Sequence, residues 1–203
     1  MLKVGLTGGI ASGKSTISQL FSDLGIPIID TDKISHRLMQ PGQTGYLQTV
    51  EHFGQSILHS DNSINRALLR SIIFNQPEQK LWLENLMHPL IKAETLSQIE
   101  RSRHLNYVLV VVPLMFETGY NELLDHVIAI DCPTEIQLKR LRQRDHIDDE
   151  LARKMIASQM ENSIRLSLSD SRLPNLNDED REQDVLELHH LLLALEESRK
   201  SKV

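Results

Sequence analysis

Gly8, Gly13, Lys14 and Ser15 stand in the spacing Gly-x4-Gly-Lys-Ser near the start of the chain. Each residue type answers a need of phosphate chemistry. Glycines let the backbone bend and bring its N–H groups close to phosphate oxygens. A helix opening at Lys14 would turn the positive end of its dipole toward the same anion. The Lys14 ammonium would neutralise the β- and γ-phosphates of a nucleotide such as ATP, and the Ser15 hydroxyl would ligate Mg²⁺. Between the two glycines, Ala11 and Ser12 are expected to add backbone N–H groups, as is Gly13. Thr16 falls where the α-phosphate would lie. This spacing is the phosphate-binding loop (P-loop), and its confirmation is a strand before it and a helix after it.

A second group of residues could act on an acceptor. Asp30 and Asp32 follow a short apolar run. A carboxylate there can take the proton of a substrate hydroxyl that faces the γ-phosphate. Asp is equally suited to opening a helix, so Asp30 is read as a helix-entry residue and Asp32 as the general base. Arg140 and Arg144 are one helical turn apart, with Lys139 and Arg142 beside them. Such a cluster can close over a triphosphate and stabilise charge in transfer. The alternative is a solvated basic face paired with Asp145, Asp148, Asp149 and Glu150. His88, just before Pro89, and the pair His189-His190 read as structural on their own, because neither has an acid or thiol partner at ligand spacing. Cys132 is the single cysteine, so it forms no internal disulfide and is read as a packing residue.

These residues need a scaffold, and the apolar pattern supplies one. Leu2 to Thr7 reads as a buried strand, and Lys14 to Leu24 as a helix with Ile17, Leu20, Phe21 and Leu24 at helical spacing and Gly25 at its C-cap. Ile26 to Ile29 is a short strand that delivers Asp30-Thr31-Asp32. Residues 43–102 read as helical apart from a turn near Ser60-Asp61-Asn62, with Pro77 opening a long helix whose stripe is Leu81, Leu83, Leu86, Leu90 and Ile91. Tyr107 to Val112 and His126 to Asp131 are β-branched runs typical of strands buried on both faces. Helices are predicted over Thr134 to Gln143, Asp149 to Leu168 and Asp178 to Glu197, the last with Leu188, Leu191, Leu192 and Leu195 on one face. Strands alternating with helices predict an α/β fold with a parallel sheet, whose ligands bind at the carboxyl ends of the strands. The expectation is one domain over 1–203, with a helical insert over about 33–104 and a helical lid over about 140–155.

The chain has 203 residues, a formal net charge of −6 and a sequence pI near 5.8. That balance argues against general nucleic-acid binding. The longest apolar run, Tyr107 to Phe116, is of strand length and contains Pro113, so no membrane association is expected. With no basic region leading into an apolar run at the N-terminus, the expected location is the cytoplasm. The expected state is a monomer or weak homo-oligomer. No Asn-Lys-x-Asp segment is present for guanine, and the strand Val108 to Val112 ends without a carboxylate. The residues therefore favour a small-molecule kinase, with the acceptor open among a nucleotide, shikimate and others. A nucleotide-sensing protein that has lost catalysis is disfavoured by Lys14, Ser15 and Asp32.

The combination resembles the dephospho-CoA kinase family over nearly the whole chain. Val4 to Thr16 resembles that family's V-G-L-T-G-G-I-G-S-G-K-S-T, and Ile28-Ile29-Asp30-Thr31-Asp32 its V-I-D-A-D. His88-Pro89-Leu90-Ile91, Pro113-Leu114-Met115-Phe116-Glu117, Gln137 to Arg140, Arg144-Asp145 and Gln159 are similar as well. The resemblance implies a P-loop NTPase-type core with a helical acceptor-binding insert and a lid. Its implied reaction is ATP-dependent phosphorylation of the ribose 3′-hydroxyl of dephospho-CoA with Mg²⁺. It also implies Asp32 as the base, His88 near the acceptor nucleotide, Arg140 as a lid contact to phosphate, and Asn175 near the adenine. Three departures stand out. Ala11 replaces the usual glycine, which is tolerable at negative φ and strained otherwise. Val111 stands where many members carry Asp, so no metal-linked carboxylate is assigned there. Ser169 to Asn177 follows the family's A-D-x-V-I-x-N-x-G only loosely.

Overall fold

The computed structural model describes residues 1–176 and 180–201. Among them are five strands, β1 (Leu2–Thr7), β2 (Ile28–Asp30), β3 (Tyr107–Val111), β4 (His126–Asp131) and β5 (Ser171–Pro174). They form one parallel sheet in the order β2-β3-β1-β4-β5. β1 lies in the centre, with β3 on one side and β4 on the other, so its carboxyl end is a switch point of the chain's path. Loops at such a point diverge and leave a crevice for ligand. The strand residues explain the parallel sheet: β3 is buried at all five positions and β1 at five of six, which suits sheets covered on both faces.

Nine helices are described: α1 (Lys14–Asp23), α2 (Thr31–Leu38), α3 (Thr44–Phe53), α4 (Arg66–Asn75), α5 (Pro77–Arg101), α6 (Thr134–Asp145), α7 (Asp149–Ala157), α8 (Asn162–Ser167) and α9 (Arg181–Lys200). On one face of the sheet Ile17 and Phe21 of α1, and Val185, Leu188 and Leu192 of α9, pack against Leu2, Val4, Leu6, Leu109 and Ile130. On the other face Gly5 has no room for a side chain. An added Cβ would stand 2.5 Å from Leu124 Cδ1 and 2.6 Å from Met115 Cε. The Pro113–Glu117 segment therefore lies over the sheet beside β1, and Thr7 Oγ1 donates to Pro113 O at 3.3 Å.

Several boundaries differ from the sequence reading, each for a local reason. α1 ends in a Schellman closure, in which Gly25 N–H donates to Ser22 O and Ile26 N–H to Phe21 O, with Gly25 at φ +81°. That closure uses Ile26, so β2 begins at Ile28 rather than at Ile26. The single helix expected over Asp149 to Leu168 is two, α7 and α8. Asp148 caps α7 by accepting from Leu151 N–H at 2.8 Å, and the chain leaves the helix after Ala157. The last helix begins at Arg181; Asp178, where it was predicted to open, lies outside the described residues, as does Asn177. Its buried face is Val185, Leu188 and Leu192, whereas Leu191 is exposed.

The chain divides into two compact units. The first holds the sheet and comprises Met1–Asp30 with the described residues from Arg101 onward. The second, Thr31–Glu100, is built of helices around Tyr46, Ile57, Ile64 and Leu69. In it the Tyr46 hydroxyl donates to Asn62 O at 2.6 Å, and His52 stacks on Trp82 with ring centroids 3.7 Å apart. Of the stripe predicted on α5, Leu81 is exposed; Met87, Thr95 and Ile99 are the buried positions.

Candidate active site

β1 delivers the chain to Gly8 and α1 takes it up at Lys14. The strand–loop–helix context that the glycine spacing requires is therefore present. Gly13 is the N-cap of α1 at φ +96°, a left-handed conformation natural to glycine. Space imposes the same choice, since a Cβ there would stand 2.1 Å from Asn175 Nδ2. Glycine also has no side chain with which to cap. The first-turn N–H groups of α1, at Lys14, Ser15 and Thr16, have no acceptor within the helix, and they form the positive end of its dipole. Ser15 and Thr16 are exposed. The Lys14 ammonium donates to Gly8 O at 2.7 Å and Gly9 O at 2.9 Å, which keeps the charge over the loop.

Two findings refine the expected donor set. Ser12 is fully buried, and its N–H donates to Gly9 O at 3.2 Å, closing a turn inside the loop. Ala11 has φ +55°, so the residue replacing the family's glycine sits in the left-handed region and carries the strain that negative φ would have avoided.

Asn175 lies directly after β5 and is 1% exposed. Its Nδ2 donates to Ser12 O at 2.6 Å, its Oδ1 accepts from Arg181 Nε at 2.9 Å, and its N–H donates to Asp131 O at 2.9 Å. The side chain that resemblance put near adenine is engaged with the phosphate loop itself.

On α6 the basic cluster divides. Arg144 is bidentate on the adjacent Asp145, at 2.7 and 2.9 Å. That bond raises the arginine's pKa and lowers the carboxyl's. Arg142 and Arg153 both pair with Asp149. The solvated-face reading thus describes Arg142 and Arg144. Arg140 turns elsewhere: its Nη1 lies 3.6 Å from Cys132 Sγ and 3.8 Å from the place of a Gly13 Cβ. Burial raises the Cys132 thiol pKa, and the Arg140 charge opposes that shift.

Helices α6 and α7 and the residues after them grip the loop in ways that spacing along the chain does not reveal. Ile10 and Ala11 pack on a cluster of Leu138, Leu141 and Ala152, joined by Ile147, Met155 and Ile156. Gln159 Oε1 accepts from Ile10 N–H at 2.7 Å. Beside them a cavity of about 320 Å³ is lined by Gly9, Gln137, Gln159, Asn162 and Arg165. Arg165 is 2% exposed, with Nη2 donating to Met160 O at 2.7 Å and Nη1 to Asn162 Oδ1 at 3.3 Å. Burial lowers its pKa and Glu117 counters the shift. Glu117 Oε1 also accepts from Met160 N–H at 3.3 Å. Of these polar partners Glu117, Gln137 and Gln159 stand in segments that carry the resemblance, and none has a local signal of its role.

Asp30 ends β2 opposite Val111 of β3, at the carboxyl edge of the sheet. Asp32 follows two residues later, exposed in the first turn of α2. His88 is exposed on α5, one residue before Pro89 within that helix. Asp32 and His88 both belong to the second unit. The structure brings Gly13, Lys14, Arg140 and Asn175 together in the first. Among the described residues no group of three His, Cys, Asp or Glu is placed to hold a metal ion. An Mg²⁺ held by phosphate oxygens, water and one hydroxyl needs none, and the exposed Ser15 hydroxyl fits that donor set. No described helix is long and apolar enough to cross a membrane.

The family described as dephospho-CoA kinase matches residues 2–180. The dephospho-CoA kinase of Mannheimia succiniciproducens is 42% identical, over 98% of this chain and 94% of its own. That of Vibrio parahaemolyticus is 39% identical over 96% of each. Among solved structures, the dephospho-CoA kinase from Campylobacter jejuni superposes with a TM-score of 0.71 at 33% identity, over 93% of this chain and 95% of its own. A Thermus thermophilus protein shares the fold, with a TM-score of 0.81 at 23% identity over 94% of this chain and 96% of its own.

Proposed function

The chain belongs to the dephospho-CoA kinase family, and from that premise we propose how its own residues carry the transfer of a phosphoryl group from ATP to dephospho-CoA. ATP is bound by the Gly8–Ser15 loop. The N–H groups of Ala11, Gly13, Lys14, Ser15 and Thr16 meet its phosphate oxygens, and the Lys14 ammonium exchanges the Gly8 and Gly9 carbonyls for the β- and γ-phosphates. Arg140 leaves Cys132 for the triphosphate and spreads the charge that moves onto ADP. Bound with the nucleotide at Ser15, Mg²⁺ supplies charge neutralisation at the β- and γ-phosphates. The helical unit Thr31–Glu100 is the acceptor-binding insert, with His88 near the acceptor nucleotide and α6–α7 as the lid.

Asp32 is the general base. The ribose 3′-hydroxyl gives its proton to the Asp32 carboxylate as its oxygen bonds to the γ-phosphorus, and the bond from that phosphorus to the β–γ bridging oxygen breaks in line, releasing ADP. Most of the rate comes from positioning and electrostatics rather than from covalent chemistry by the protein. The single observation that carries the donor half is the uncapped start of α1 at Gly13, with Lys14 and Arg140 beside it. The reaction is placed in the cytoplasm, without nucleic acid, by a monomer or weak homo-oligomer; the acidic balance of the chain supports the second of these.

Measured ADP release with dephospho-CoA, a nucleoside monophosphate and shikimate as acceptors tests the reading. Turnover with dephospho-CoA and none with the other two is expected. Turnover with a nucleotide and none with dephospho-CoA would reverse the acceptor assignment.

A further inference from the structure

The P-loop carries its strain at one residue and its external anchors on either side of it. Ala11 is held at φ +55°, a conformation that costs a residue with a Cβ roughly 5- to 30-fold in population. Immediately before it, the Ile10 N–H is taken by Gln159 Oε1 at 2.7 Å. Immediately after it, Ser12 O is held by Asn175. Gln159 lies between α7 and α8, where the chain leaves the helix that sequence pattern alone would have continued. The side chains of Ile10 and Ala11 rest on the apolar cluster formed by α6 and α7. The tip of the loop is therefore fixed by the same helix pair that bears Arg140.

We propose that Gln159 is a positioning residue for the ATP site: by holding the Ile10 amide it keeps Ala11 in the left-handed conformation that opens the loop to phosphate. The proposal rests on the Gly8–Ser15 loop being the donor site. It makes the loop's shape depend on the α6–α7–α8 segment, so closure of the lid and tightening of the phosphate cradle are one event. It also accounts for an alanine standing where glycine is usual. The methyl group adds apolar contact to the lid cluster, and the Gln159 bond offsets the strain that the methyl brings.

The test is a double-mutant cycle read by the ATP dissociation constant, the KM for dephospho-CoA and the thermal midpoint. Gln159→Leu removes the acceptor and leaves the Ile10 N–H facing an apolar group. ATP affinity should fall about 10-fold, as the loss of a partly buried hydrogen bond implies, while the KM for dephospho-CoA stays within about 2-fold. Glycine adopts positive φ without help, so in an Ala11→Gly background the same change should weaken ATP by less than about 3-fold. A residue that merely stabilises the fold would act equally in both backgrounds. Equal effects, or an unchanged ATP affinity in Gln159→Leu, would overturn the proposal. If Gln159→Leu fails to fold, Gln159→Met keeps the unbranched stem and gives the same readout. Lys14→Ala serves as the control. Lost ATP binding in it, with none lost in Gln159→Leu, overturns this inference alone; full binding in Lys14→Ala overturns the donor site as well.

Discussion

Replacing Asn175 with alanine separates two roles that the same residue could play, reading adenine or holding the phosphate loop. Its amide is 1% exposed and donates to Ser12 O at 2.6 Å. Alanine leaves that buried carbonyl without its donor, at a cost of about 1–3 kcal/mol. Arg181 also loses its bond to Oδ1, but it is only half-buried and can turn to water. A central figure of about 2 kcal/mol corresponds to up to ~30-fold in ATP affinity if the whole loss falls on the bound loop. In a chain of this length it also lowers the thermal midpoint by about 4–8 °C. The decisive comparison is between MgATP and magnesium tripolyphosphate by titration calorimetry. A residue that shapes the loop must weaken both by the same factor, because tripolyphosphate has the phosphates and no base. If Asn175→Ala weakens ATP and leaves tripolyphosphate unchanged, the residue reads the base and the loop-holding role is refuted.

Other perturbations follow from the same geometry. Gly13→Ala forces a Cβ to 2.1 Å from Asn175 Nδ2 at φ +96° and should abolish measurable ATP binding with a lowered midpoint; retained binding would show that the loop rearranges freely. Asp32→Asn should lower kcat about 10²-fold or more with ATP affinity nearly intact, and unchanged single-turnover rates would remove Asp32 as the base. Arg140→Ala should cost about 10²-fold in kcat, whereas Arg144→Ala, which breaks only an exposed pair with its neighbour Asp145, should stay within about 3-fold; comparable losses in steady-state assays would contradict the division of the cluster. His126 and His189 have pKa values pulled below 6.5, chiefly by burial. Each binds a proton more readily when unfolded, so stability is full above pH 6.5 and falls as pH drops below it. His126→Gln should flatten that fall in thermal scans from pH 7.5 to 5, and an unaltered slope would exclude His126 as a contributor.

How far the sequence reaches depends on whether a feature is local. The P-loop was legible because glycine at the turn, lysine at the helix start and apolar runs on both sides all lie within one βα unit. The long helix from Pro77 and the strands at Tyr107 and His126 were legible for the same reason, as period and length speak for themselves. The break between α7 and α8 was not, nor was the bond that Gln159, lying in that break, makes to Ile10, 149 residues away. Nor was the clamp on Ser12, which joins residues 163 apart. Resemblance named Asn175 and Arg140 but could not show that one holds the loop and the other rests on Cys132. Composition could not divide the basic cluster either; that required seeing which carboxylate each arginine reaches. The strain at Ala11 was visible only as a condition on φ, and the value of +55° decided it.

The most direct test of the phosphoryl transfer itself follows the phosphate. Wild-type protein is incubated with Mg²⁺, dephospho-CoA and ATP labelled at the γ-phosphate, and the purified product is treated with a nucleotidase specific for 3′-phosphates. The label should appear in a CoA-sized product and be released quantitatively by that enzyme. Label recovered only as inorganic phosphate, or in a product that resists the 3′-nucleotidase, would contradict the account.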